Sequence, residues 1–140
     1  MAFNYGSKAV FKIDDSGNVL RDVSTYLTSA GVPRAADTGE TSALGGTSKA
    51  YIAGLIDGTF ALEGLWDPTV DGYLAGILGN DSVGAALPDY EYGPAGSTGG
   101  FVKYTGKFIL TAYEVQTPVD GPATFSAEGQ LSGTQTRTTW

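Results

Sequence analysis

The sequence has no cysteine and no histidine among its 140 residues. Without cysteine there is no disulfide framework, no thiolate nucleophile and no zinc–sulfur site. Without histidine the chain lacks the commonest general base, the commonest transition-metal ligand and every Ser–His or Cys–His arrangement. Cationic side chains are also scarce: eight lysines and arginines stand against fifteen carboxylates, a formal charge of −7. That balance argues against a surface that grips nucleic acid, because such affinity rests on neutralising phosphates. It leaves open a surface past which DNA slides without being held. No apolar run reaches the length of a membrane span, and residues 1–6 lack the basic region and apolar core of a secretory signal. The expectation is a soluble protein made in the cytoplasm, with no membrane partner.

The chemistry left to such a chain is that of paired carboxylates, as in glycosidases. Asp57, Glu63, Asp67, Asp71, Glu114 and Glu128 are candidates only in being acidic, and in a β protein such groups ordinarily face solvent. The glycine-rich tract 93–100 has no Gly-Lys-Ser/Thr and no strand–loop–helix context, so it is no phosphate cradle. The acidic turn 14–18 fails as an EF-hand: Gly17 falls too early and no closing glutamate follows. Asn80-Asp81-Ser82 matches a glycosylation acceptor, but without a secretion signal it reads as chance. The chain is therefore not read as an enzyme, and no cofactor or metal is expected.

What the sequence has is strand and turn material: 21 glycines, eight tyrosines and a hydrophobic fraction of 41%. One stretch organises the rest. Phe60, Leu62 and Trp66 share a period-two face with Gly64 between them, and Thr59, Ala61 and Glu63 lie opposite, the pattern of a strand buried on one side. The period then changes. Asp67 suits an N-cap and Pro68 the first helical position. Val70, Tyr73, Leu74, Ile77 and Leu78 form one apolar stripe, and Gly79 and Asn80 supply a left-handed stop. This predicts one short helix over about 68–78. Five such side chains, at about 1.5–3 kcal/mol each, favour docking it on a sheet. Gly72 and Gly76 lie off the stripe, where either another backbone approaches or glycine is simply tolerated.

Elsewhere, residues 8–13 alternate with Ala9, Phe11 and Ile13 on one face, 14–18 turn, and Val19 and Leu20 begin a return strand. Residues 22–28 are β-prone, another strand or an irregular edge, and 85–92 suggest a strand that Pro88 confines to an edge or a bulge. Residues 101–117 form the longest strand candidate. Val102, Tyr104, Phe108, Leu110 and Ala112 share one face, while Lys103, Thr105, Lys107 and Thr111 share the other. Residues 123–131 alternate with Phe125 on the apolar side, and 132–140 are polar apart from Trp140. The expected core is Phe60, Leu62, Trp66, Leu74, Ile77, Phe108, Leu110 and Phe125. Residues 34–49 read as a long polar loop, a length that in compact domains tends to be functional or to order on a partner. The expected fold is a single domain over 1–140, mainly β: an antiparallel sandwich or barrel with one flanking helix.

Several runs together carry a resemblance. They are residues 21–28 (Arg-Asp-Val-Ser-Thr-Tyr-Leu-Thr), the polar loop, 51–55 (Tyr-Ile-Ala-Gly-Leu) and 57–67 (Asp-Gly-Thr-Phe-Ala-Leu-Glu-Gly-Leu-Trp-Asp). To these are added 101–108 (Phe-Val-Lys-Tyr-Thr-Gly-Lys-Phe) and 122–133, which opens Pro-Ala-Thr-Phe-Ser-Ala-Glu-Gly. The chain resembles the major tail tube proteins of long-tailed bacteriophages, particularly compact ones from phages of actinobacteria. The resemblance implies a virion protein, made in the host bacterial cytoplasm, that assembles with itself into stacked hexameric rings. The rings would form a tube through which DNA passes as non-specific cargo, and a tape measure and a tail terminator would be further partners. It places subunit contacts on the long loop at 34–49, with Arg34, Asp37, Glu40, Thr41, Leu44, Lys49 and Tyr51 as the expected interface. Lys103 and Lys107 depart from an acidic lumen, so either their face is not the lumen or their charges are paired. A head-decoration protein or a carbohydrate-binding sandwich is the competing reading. It would expose an aromatic platform drawn from Tyr5, Tyr26, Tyr51, Tyr90, Tyr92 and Trp140, residues equally at home in strands and interfaces.

Overall fold

The computed structural model describes residues 3–80 and 86–140. The chain runs β1 (Val10–Asp14), β2 (Leu20–Asp22), β3 (Leu27–Gly31), β4 (Arg34–Glu40), β5 (Tyr51–Leu65), α1 (Pro68–Ala75), β6 (Asp89–Gly93), β7 (Val102–Gln116) and β8 (Thr124–Thr139). The strands form one curled antiparallel sheet, a half-barrel, in the order β2-β1-β6-β7-β8-β5-β3, with β4 paired to β5 beyond that path. The concave face is the core.

The alternation in β5 dictates which face that is. Phe60 and Leu62 are buried while Thr59, Ala61 and Glu63 face out. From β1 come Phe11 and Ile13, from β6 Tyr90, from β7 Phe108 and Leu110, and from β8 Phe125 and Ala127, all buried. The rings interlock: Phe60 meets Phe108 edge-on at 4.9 Å, and Phe11 lies 5.5 Å from Phe60. Two glycines make the curl possible. A Cβ on Gly64 would sit 2.1 Å from the Tyr26 carbonyl oxygen, and one on Gly129 would sit 2.2 Å from the Phe60 ring.

Helix α1 closes the core. The Asp67 carboxylate accepts the Thr69 N–H at 2.8 Å, and Pro68 occupies the first turn. Val70, Leu74 and Ile77 are buried, Tyr73 is half-buried, and Leu78 is exposed. The helix ends at Ala75, earlier than the predicted 78. Gly72 and Gly76 weaken its last turn, and β7 recruits the backbone beyond it: Leu78 bridges Leu110, and the Gly79 N–H donates to the Leu110 carbonyl at 2.9 Å. Gly79, at φ 70°, supplies the left-handed residue of the turn after the helix. A Cβ at Gly72 would meet nothing within 4 Å, whereas one at Gly76 would lie 3.4 Å from the Ser16 side chain.

Three expectations are corrected by long-range pairing, and the β-prone tract 22–28 is divided by a local turn. The tract 34–49 is not all loop: residues 34–40 are β4, held by β5, leaving 41–50 as the connection. Residues 132–139 are not a loose end but the second half of β8, paired with β7. Residues 22–28 contain a turn of 3-10 helix, Ser24–Tyr26, before β3 begins. In β7 an extra residue at Thr111 shifts the register between Leu110 and Ala112. The phase reverses there: Ala112 faces solvent and Tyr113 packs toward Phe125 instead. Strand β6 starts at Asp89, directly after a buried Pro88, and most of the predicted loop at 80–84 lies outside the described residues. Trp66 is half-buried, at the rim of the core.

Candidate assembly interface

Strand β5 is fifteen residues long, but only its second half lies on the core. Its first seven residues, Tyr51 to Asp57, and the whole of β4 are exposed, so the two strands stand off the half-barrel as a ribbon. The register pairs Arg34 with Gly58 at the base and Glu40 with Tyr51 at the far end. It shifts by one residue between Ala36 and Thr38, where Gly54 packs so closely on Asp37 that a Cβ would lie 3.0 Å from its side chain. The Thr41 N–H donates to the Ala50 carbonyl and the Ala50 N–H to Ser42 Oγ, each at 2.8 Å, closing the connection.

The ribbon is apolar for an element with no cover. Leu44 at its tip is fully exposed, at 105%, and Leu55 is 83% exposed; Tyr51, Ile52 and Ile56 are exposed as well. An isolated two-stranded ribbon is marginal in water, an open strand edge is a template for pairing, and contiguous exposed apolar surface marks an interaction site. All three point to a partner. Every predicted interface residue lies in this element: Arg34 at the base, Asp37 and Glu40 along β4, Thr41, Leu44 and Lys49 in the connection, and Tyr51 at the start of β5. Ile52, Leu55 and Ile56, which are not among those residues, are exposed in the same ribbon. Their signal was the run Tyr51–Ile56, almost wholly apolar with no alternation, the mark of a strand that needs cover on both faces.

A second exposed apolar set lies where β7 and β8 project as a hairpin. Val119 in its connection is fully exposed, at 107%, and Val115 and Leu65 beside it are exposed too. The base of this hairpin is fastened to α1: Tyr113 Oη donates to the Asp71 carboxylate at 2.6 Å, and Trp66 Nε1 donates to the same oxygen at 3.3 Å. Burial, and this bond to a carboxylate, push the Tyr113 phenol well above its usual range.

The lysines of β7 are neutralised on the convex face. Lys103 Nζ lies 3.3 Å from Glu91 and 4.8 Å above the Trp140 ring, and Lys107 Nζ lies 2.9 Å from Asp89. Lys12 covers the same ring at 5.0 Å. Beside this row sits one buried carboxylate, Asp14, 4% exposed, which accepts the Asp89 N–H at 2.9 Å. Burial raises its pKa, and the hydrogen bond from Asp89 partly offsets that.

Among the described residues the remaining carboxylates have structural posts or face water. Asp67 caps α1, Asp71 holds Tyr113, and Asp57 accepts from Gln130 at 2.8 Å. Glu114 and Glu128 flank a shallow depression beside Ser126, but both are exposed, without the dry surroundings that make a carboxyl a general acid. Among the described residues no group of three or more acids is placed to hold a metal ion, and no helix is long and apolar enough to cross a membrane. The aromatics do not form one platform. Tyr90 is buried, Tyr26, Tyr92 and Trp140 are half-buried, and Tyr5 and Tyr51 are exposed on separate elements.

No protein-family profile and no curated protein sequence matches the chain. Solved structures do. The chain superposes on a component of the virion of a native gene transfer agent particle with a TM-score of 0.76 and 15% identity, covering 97% of this chain and 99% of that one. A chain of the tail of an empty gene transfer agent particle, refined with C6 symmetry, gives 0.73 at 14% identity, over 97% and 99% of the two chains. The SPP1 tail tube gives 0.71 at 9% identity, over 99% of this chain and 80% of that one. A component of the sheath–tube complex of the PVC extracellular contractile injection system gives 0.69 at 10% identity, over 99% and 93%. At these identities the likeness is one of fold, and the chain has, nearly end to end, the fold of the SPP1 tail-tube subunit.

Proposed function

We propose that this protein is a structural tail-tube subunit of a virion, which assembles with itself into hexameric rings that stack into a hollow tube for DNA passage. The observation that carries the reading is the uncovered apolar ribbon β4–β5 on a fold matched over 97% of the chain to a gene transfer agent tail component and over 99% to the SPP1 tail tube. A monomer has no use for such a ribbon, whereas a ring of copies covers it. The paired lysines suit a conduit, since a face whose cations are already neutralised does not retain phosphates. The subunit is non-enzymatic in this reading, meets a tape measure inside the tube and a terminator at its end, and handles DNA only in transit. The competing decoration or sugar-binding reading calls for an exposed aromatic platform, and the scattered tyrosines do not support it.

The test is negative-stain electron microscopy and sedimentation velocity of the purified protein from dilute to high concentration, with and without a seed of broken tails. Rings or hollow tubes of uniform width are the expected result. A monodisperse monomer at every concentration, seeded or not, would refute self-assembly.

A further inference from the structure

With no histidine in the chain, a response to mildly acidic pH falls to a carboxyl displaced from its ordinary range. Asp14, the last residue of β1, is the one charged residue buried among the described residues, at 4% exposure. Its side chain stands in for a missing rung. The β1–β6 ladder ends where Ile13 pairs with Tyr90, and beyond that pair Asp14 Oδ2 accepts the Asp89 N–H at 2.9 Å. Asp89 is the first residue of β6, so this bond fastens the end of the seam between the two strands.

The charges around this bond do not balance. Asp15, next along the chain, is committed to Arg21 of β2 at 2.8 Å, and the Asp89 carboxylate to Lys107 of β7 at 2.9 Å. Arg21 also lies over the Tyr73 ring of α1. Glu91 of β6 and Lys103 of β7 pair with each other farther along the same cleft. The Tyr90 phenol accepts from Gln135 at 2.6 Å, and β8 lines the cleft with glycine and hydroxyl side chains alone. Three carboxylates, Asp14, Asp15 and Asp89, therefore meet two cations, Arg21 and Lys107. Burial holds the Asp14 carboxyl above its usual range and the neighbouring carboxylates of Asp89 and Asp15 add to this, against the Asp89 N–H and Lys107.

We propose that Asp14 is a proton-operated latch, which closes the β1–β6 seam at Asp89 when protonated and opens that end of the seam to water when it loses its proton. Protonated, Asp14 still accepts the Asp89 N–H through its carbonyl oxygen, and every remaining charge in the corner has a partner. Deprotonated, it is a buried charge facing two others of its own sign, and hydration relieves it. The end of a ladder is where hydration breaks the fewest bonds, so the opening is local. The sign follows from the raised folded-state pKa: the latch is fully effective below the unfolded value of 3.8 and is lost as pH rises through the folded value. The corner thus loosens from acid to neutral pH, whether or not the protein forms tubes.

The experiment follows amide hydrogen exchange and side-chain carboxyl resonances of the dilute full chain by NMR between about pH 3.5 and 7, spanning the ordinary carboxylate range and neutrality. After correction for the intrinsic rate, exchange at Asp89 is expected to quicken several-fold as pH rises and then level off, while Phe60 and Phe108 in the core stay protected. Asp14→Asn, whose amide oxygen accepts the same N–H without a charge, is expected to leave Asp89 protected across the range. The Asp14 carboxyl itself is expected to titrate above free aspartate. Two substitutions at exposed positions shift that midpoint in opposite directions: Lys107→Met moves it up by removing the nearest cation, and Asp89→Asn moves it down by removing a like charge. A purely structural Asp14 would give neither shift, and both remain measurable if Asp14→Asn does not fold. Exchange at Asp89 that is flat with pH in the parent, a pH dependence that survives Asp14→Asn, or an Asp14 midpoint at or below that of free aspartate would each overturn the latch.

Discussion

Gly129 and Phe60 face each other across the β5–β8 ladder, paired in register. A methyl at position 129 would lie 2.2 Å from Cε1 and 2.4 Å from Cζ of the Phe60 ring, where carbon atoms ordinarily stand about 3.5–4.0 Å apart. The ring must therefore move by more than about 1 Å. It has nowhere to go: it is 1% exposed and wedged against Phe108, Phe11 and Tyr90. Overpacking of this kind costs about 1–3 kcal/mol, and we place Gly129→Ala near 3. Phe60→Ala alone removes the ring and leaves a cavity, at about 3–5 kcal/mol. In the double variant the new methyl enters space the ring has vacated, so the combined loss should fall below the sum by about 2 kcal/mol or more. The assay is urea unfolding followed by the fluorescence of Trp66 and Trp140, at concentrations too low for assembly to add mass-action stability. Penalties that add to within about 0.5 kcal/mol would show that the two positions do not compete for space, and the account of how the sheet curls over Phe60 would fall with them.

Deleting residues 37–48 should leave a folded monomer with a melting temperature close to the parent's while abolishing tubes, because no residue of 34–57 is buried; an unfolded variant would make the ribbon part of the core. Asp14→Asn should stabilise the protein at neutral pH. The folded-state pKa of Asp14 is raised, so its contribution to stability is complete below the unfolded value of 3.8 and is lost as pH rises through the folded value. The neutral amide avoids that loss and still accepts the Asp89 N–H. Urea midpoints should accordingly be similar near pH 3.5 and diverge in favour of the variant by pH 7, and a variant weaker at pH 7 contradicts the sign. Trp66→Ala should cost about 2 kcal/mol, less than the roughly 3–5 of a fully buried tryptophan, because Trp66 sits half-buried at the rim with its indole N–H on Asp71; a thermal melt of the dilute protein measures it.

The sequence by itself determined what depends on neighbours a few residues away. The alternation at 59–65, the Asp67-Pro68 start of α1 and the turn at 14–18 are local patterns, and each is legible because period, capping and turn chemistry act within one or two turns of chain. The β class and most of the core followed from those patterns, and the proposed interface at 34–51 from one resemblance. Tertiary structure alone decided matters that rest on pairing between distant strands. Residues 34–40 and 132–139 are too polar to announce themselves as strands, and they become β4 and the end of β8 only because β5 and β7 supply their ladders. The extra residue at Thr111 that turns Tyr113 inward is visible only against β8. Lys103 and Lys107 look like bare charge until β6 brings Glu91 and Asp89 beside them. That connections 41–50 and 117–123 stand at opposite ends of one strand is likewise decided by the antiparallel pairing of β5 with β4 and β8, which no local pattern specifies.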